Sequence, residues 1–154
     1  MKKIEELLRE HPFVQNLEEE IVAIISGCAK NVVYQSDGYV FREGDPADRF
    51  FLIRHGTVAL EMTAPGREPL TFLTVKGGEI LGASSLAPPY RCSFDARAVE
   101  LTRTFAFDAR CFREKCEADH SVGYAMLKRF MPPLIERLQT ARFQCADLYG
   151  GGNR

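Results

Sequence analysis

Between Asn31 and Asp108, short β-branched or aromatic runs alternate with turn signals. The runs are Val32-Val33-Tyr34, Tyr39-Val40-Phe41, Phe50 to Arg54, Thr57 to Met62 and Leu70 to Val75. They are separated by Ser36-Asp37-Gly38, Glu43-Gly44-Asp45-Pro46, His55-Gly56, Pro65-Gly66 and Lys76-Gly77-Gly78. After Ala98, two more strand-like stretches end at Phe107. Strands this short, spaced about 8–12 residues apart, describe an antiparallel roll or sandwich, because a continuous helix tolerates neither the glycines nor the period. Within the run from Phe50, Phe50 and Leu52 alternate with Phe51 and Ile53 across the strand.

Helical patterns flank the roll. Ile4, Leu7 and Leu8 share one face, and His11-Pro12 stops that segment. Asn16 with Glu19 three residues on reads as a capping box for a helix from Leu17 to Ala29, with Ile21, Ile24, Ile25 and Cys28 as its core stripe. Asp108 is suited to cap the helical remainder. There Leu127, Met131, Leu134, Leu138, Ala141, Cys145 and Leu148 follow at steps of four and three, a seam for a partner helix or a cover for the roll. Pro132-Pro133 should kink or restart this helix, and Gly150-Gly151-Gly152 should end it. The expectation is an α+β domain over 1–149: helices to 30, an antiparallel β-roll (double-stranded β-helix or jelly roll) over 31–107 and C-terminal helices over 108–149, with a flexible tail at 150–154.

A chain of 154 residues, 45% hydrophobic and 27% charged, is long enough for one well-filled core and too short for two full domains. Its formal net charge of −1, with basic residues scattered, gives no long-range pull on nucleic acid or anionic membrane. The N-terminus mixes charge through its apolar positions unlike a signal peptide, and no run approaches the roughly 20 apolar residues of a membrane span. These features point to a cytoplasmic protein. Five cysteines without a CxxC pair fit reduced thiols.

Three segments carry a family likeness. The first runs from Tyr39 through Gly44-Asp45 and the aromatic strand to His55-Gly56-Thr57-Val58. The second is Gly78-Glu79-Ile80-Leu81-Gly82-Ala83-Ser84-Ser85-Leu86 followed by Pro88-Pro89-Tyr90-Arg91, and the third is Glu136-Arg137-Leu138-Gln139-Thr140. Together they resemble the cyclic nucleotide-binding domains of catabolite-activator and FNR-type regulators over nearly the whole chain. The resemblance implies that the second segment is a phosphate-binding cassette and the third a dimerisation helix. In such domains a glutamate after the second glycine holds the ribose and a downstream arginine pairs with the phosphate. Here Ala83 stands at the glutamate's position, Glu79 aligns with an acidic residue outside the pocket, and Arg91 stands in for the arginine. Hydroxyl side chains that contact the base just beyond the third segment are replaced by Ala141 and Arg142.

The ligand-binding set implied in this way is Gly82, Ala83, Ser84, Ser85, Arg91 and Ser93. Arg91 reads either as an anion clamp or as a surface arginine at a loop end, and Ser84 and Ser85 either donate to a ligand or cap a short helix. Cys116 and His120 lie one helical turn apart, but Cys111 points elsewhere and no fourth ligand is evident, so no metal site is expected. None of His11, His55 and His120 has the neighbours of a catalytic triad, and no enzyme is expected. Two functions remain open. One is a stand-alone sensor that binds a cyclic nucleotide or other small anionic ligand and signals through its C-terminal helix, as a homodimer and without binding DNA by this chain alone. The other is a ligandless protein-interaction module with a degenerate pocket.

Overall fold

The computed structural model describes residues 2–151. Two short helices open the chain, α1 (Ile4–Arg9) and α2 (Glu19–Ser26), with a 3-10 turn at Pro12–Val14 between them. Eight strands follow: β1 (Ala29–Tyr34), β2 (Tyr39–Phe41), β3 (Arg49–His55), β4 (Thr57–Met62), β5 (Leu70–Lys76), β6 (Ile80–Leu81), β7 (Asp95–Ala98) and β8 (Thr102–Asp108). A 3-10 turn at Ala83–Leu86 interrupts them, and α3 (Ala109–Ala118) and α4 (His120–Gly151) complete the described chain. The strands form two four-stranded antiparallel sheets, ordered β1-β8-β3-β6 and β2-β7-β4-β5. This is the expected α+β roll with helices at both ends.

The alternation along β3 has consequences on both faces. Phe51 and Ile53 enter the interior between the sheets with Val58, Leu60, Val75 and Leu81. Phe50 and Leu52 join Phe105 and Phe107 against the helices, meeting Leu8, Ile25, Phe112, Met126 and Phe130. Phe50 is the hub of that outer core: its ring stacks on Phe107 at 4.6 Å and meets Phe112 and Phe130 edge-on at 4.9 and 5.3 Å. Edge-to-face and offset aromatic pairs add to the area they bury. The hairpin from β3 to β4 requires Gly56, at φ 110°, since a Cβ there would lie 2.4 Å from the Thr102 hydroxyl and 2.8 Å from the Leu101 carbonyl.

Several local expectations are corrected. Asn16 does not cap α2: it adopts a left-handed φ of 66°, and α2 begins at Glu19 behind Glu18, which has no side-chain cap. Asparagine suits both roles, and the turn that seats Phe13 and Val14 in the core takes precedence. Among the described residues only one strand, β8, follows β7. Asp108 does cap α3, accepting from the Cys111 amide at 2.8 Å. Helix α4 runs through Pro132 and Pro133 without restarting, because Phe130 and Leu134 on either side are packed on the outer core. It also continues through Gly150 and Gly151, whose helix cost of about 1 kcal/mol each weakens a helix end without forbidding it. The rest of the expected tail, 152–154, lies outside the described residues. Finally, Cys28 and Cys111 are joined as a disulfide between the end of α2 and α3, contrary to five reduced thiols. Cys92, Cys116 and Cys145 are free. No described helix is long and apolar enough to cross a membrane.

Candidate ligand cavity

The segment after β6 turns sharply at Gly82, whose φ of 90° favours glycine and where a Cβ would crowd the Arg49 carbonyl oxygen at 3.0 Å. From there Ala83–Leu86 forms the 3-10 turn. Ser85 is buried, and its hydroxyl donates to the Gly82 carbonyl at 2.9 Å. On the helix side, Arg113 donates to the Ser85 carbonyl and covers the Tyr90 ring at 4.3 Å, tying the turn to α3.

On the other side of this turn lies a cavity of about 240 Å³. The roll contributes Leu60, Phe72, Leu73 and Phe94, the turn contributes Gly82, Ala83 and Ser84, and α4 closes it with Leu134, Arg137, Thr140, Ala141 and Gln144. Phe72 and Phe94 meet edge-on at 5.4 Å, and Phe94 in turn contacts Phe41. Arg137 is the only charged side chain among the described residues of this lining. It is half-buried and donates to the Ile80 carbonyl. Burial pushes its guanidinium pKa down, opposed by the fields of Glu79 and Glu136. Neither carboxylate comes close enough for an ion pair with it among the described residues.

Of the six residues expected from the sequence, Gly82, Ala83 and Ser84 line the cavity and Ser85 supports it from behind. Arg91 and Ser93 are exposed and outside the lining. Arg91 pairs with Pro46 across an isolated bridge and donates to the Gly44 carbonyl at 3.3 Å, which holds it on the loop around Gly44-Asp45. Cys116 and His120 are not joined by other ligands: Cys111 is bonded to Cys28, and no group of three possible metal ligands comes together among the described residues.

Sequence reasoning passed over Arg137 as a ligand contact, treating it only as part of the dimerisation motif. Its signal was present in the helical period: Leu134, Arg137, Ala141 and Gln144 step by three, four and three, so Arg137 shares a face with Leu134 and Ala141 of the apolar seam. A lone cation on a stripe of small and apolar residues marks a position facing something other than water. Thr140 lines the cavity with Ala141, whereas Arg142 does not.

The family model for the cyclic nucleotide-binding domain matches residues 31–119. A CRP-like cAMP-activated global transcriptional regulator of Mycobacterium tuberculosis is 26% identical over 147 residues, 94% of this chain and 63% of the regulator. Cyclic nucleotide-gated ion channel 18 of Arabidopsis thaliana is 24% identical over 144 residues, 93% of this chain and 19% of the channel. The chain thus spans less than two thirds of either relative. Among solved structures, a Geobacter metallireducens protein matches with TM-score 0.76 at 25% identity, covering 90% of this chain and 99% of that one. The catabolite activator protein of Thermus thermophilus matches with TM-score 0.71 at 24% identity, covering 90% and 63%.

Proposed function

The chain belongs to the cyclic nucleotide-binding domain family, and from that premise we propose that it is a regulatory domain whose cavity takes a small anionic ligand. Its occupancy is passed through α4 to a dimer mate or partner. The observation that carries this reading is the position of α4 over the cavity: Leu134, Arg137, Thr140, Ala141 and Gln144 close a space whose floor is the roll and the turn at Gly82. A ligand there touches both halves at once, so it binds one arrangement of α4 better than another, and differential affinity is all that coupling requires. The domain acts by binding, without a reaction of its own and without DNA contact by this chain alone. Arg137 supplies the charge for the anion, and Ser84 a hydroxyl elsewhere in the same lining.

The test is a thermal-shift titration with cyclic AMP, cyclic GMP and other anionic metabolites. A ligand present at 100 times its dissociation constant stabilises the native state by about 2.7 kcal/mol. A set of anions that leaves the midpoint unmoved would support the second reading, a ligandless interaction module, which the apolar residues exposed along α4 favour: Leu127, Met131 and Leu138 are each at least half exposed.

A further inference from the structure

We infer that the ligand of this cavity is a small carboxylic acid with an aromatic body, rather than a nucleotide; the inference rests on the reading of the cavity as the ligand site. Three features of the lining select that chemistry. The first is its charge. Arg137 is the only charged group among the described lining residues, no carboxylate faces it there, and only one of its contacts is satisfied, by the Ile80 carbonyl. A guanidinium presents five N–H donors in a planar fork, which matches the two oxygens of a carboxylate.

The second feature is the absence of an anionic acceptor from the described lining. A cyclic purine nucleotide brings a ribose 2′-hydroxyl and purine N–H donors that must be paired where the site buries them. Ala83 has no side-chain acceptor, the Gln144 amide nitrogen is engaged with the Phe72 carbonyl at 2.8 Å, and the side-chain acceptors left in the lining are the neutral Gln144 Oε1 and the hydroxyls of Ser84 and Thr140. The lining thus offers a nucleotide's donors no charged acceptor, whereas an aryl carboxylate brings no donor to pair. The third feature is the opposite wall. Phe72 and Phe94 stand edge-on, and a ring added beside Leu60 and Leu134 extends that arrangement at the spacing aromatic groups prefer. A volume of about 240 Å³ lies just below the 300–1,000 Å³ usual for drug-sized ligands, so the acid is small.

Calorimetric titration of the full chain with phenylacetate, phenylacetamide, cyclic AMP and inorganic phosphate tests the assignment. Phenylacetate at millimolar concentration should bind, and phenylacetamide, the neutral equivalent, at least about tenfold more weakly. Arg137→Gln should lose about tenfold to a hundredfold in affinity for phenylacetate. Because Arg137 also holds the Ile80 carbonyl, Ala83→Glu is the second variant: it adds a carboxylate to the lining without touching Arg137 and should weaken the acid similarly. Equal affinity of phenylacetate for wild type and Ala83→Glu overturns the inference. So does phosphate binding as tightly as phenylacetate, since then any anion suffices. Cyclic AMP binding without phenylacetate binding overturns the ligand class and leaves the cavity as the ligand site; if none of the four binds, both readings fall.

Discussion

Gln144 donates from Nε2 to the Phe72 carbonyl oxygen at 2.8 Å, so the far half of α4 is tied to β5 beside the cavity. Beyond this point the helix is exposed along its whole surface up to Gly150. A bond of this kind contributes about 0.5–1.5 kcal/mol, and here it acts on a helix end rather than on the whole fold. Gln144→Ala should therefore speed amide hydrogen exchange between Ala141 and Gly150 severalfold while leaving β3 amides unchanged. Unchanged exchange in that segment would show that the tie does not restrain α4.

Phe50 is 1% exposed and touches Phe107, Phe112 and Phe130 from β8, α3 and α4. Its removal leaves a cavity where sheet and helices meet. Phe50→Ala should cost about 3–5 kcal/mol in urea unfolding, and a loss under about 1 kcal/mol would mean the helices repack around the gap.

Buried His11 links the first 3-10 turn to the roll: its Nε2–H donates to the Ile53 carbonyl at 2.7 Å and its Nδ1 accepts from the Phe13 amide at 3.1 Å. Protonating Nδ1 would set a donor against the Phe13 N–H. Burial pushes the His11 pKa down and the charge of Arg54 adds to this, while the bond to Ile53 opposes it. The neutral form is thus favoured by folding. Its contribution is fully present above the unfolded value of about 6.5 and is lost as pH falls from there through the lower folded value. Stability should decline on that acid side by at most about 1.4 kcal/mol per pH unit from this one proton. An NMR titration placing His11 above about 6.5 would contradict the assignment.

The roll was legible because its turns demand particular residues. Gly56 leaves no space for a Cβ, and a strand that alternates Phe50/Leu52 with Phe51/Ile53 announces two buried faces. Which face meets the helices was not legible, since that depends on where α3 and α4 return. Asn16 illustrates a different limit: the same side chain serves an N-cap or a left-handed turn, and only the seating of Phe13 and Val14 decides. For the cavity, Gly82, Ala83 and Ser84 could be located by motif because they are adjacent in sequence. Arg137 could not, since a helical reading that follows only apolar positions skips the cation between them.

The pairing of Cys28 with Cys111, 83 residues apart, is likewise a fact of three-dimensional proximity. Under denaturing, non-reducing conditions three thiols should react with a thiol reagent, Cys92, Cys116 and Cys145, and five after reduction. Closing a loop of that length contributes between about 4 and 5 kcal/mol in the chain-entropy account, so dithiothreitol should lower the unfolding midpoint. Five reactive thiols before reduction would show that the bond is not formed in the protein as isolated.

The seam along α4 distinguishes a cover for the roll from a dimer interface. Val122, Met126 and Phe130 are buried and face the outer core, while Leu127, Met131, Leu138 and Leu148 are 58%, 50%, 52% and 79% exposed. One stripe of α4 therefore covers the roll, and of the four-three seam Leu134 and Ala141 turn to the core and the cavity while these four residues stay exposed. The homodimer is a proposal that these exposed positions motivate, since apolar side chains at such spacing suit a second helix of the same sequence. In such a homodimer Leu138 sits mid-seam, where an unpaired carboxylate would be buried at a cost of about 3–5 kcal/mol. In the monomer the same carboxylate remains half in water, so the fold should survive. Leu138→Glu should accordingly sediment as a folded monomer, whereas Arg142→Ala, at the solvated margin, should leave the dimer intact. A wild-type monomer at tens of micromolar would remove the homodimer reading, since the seam would then be exposed without a copy of itself to cover it.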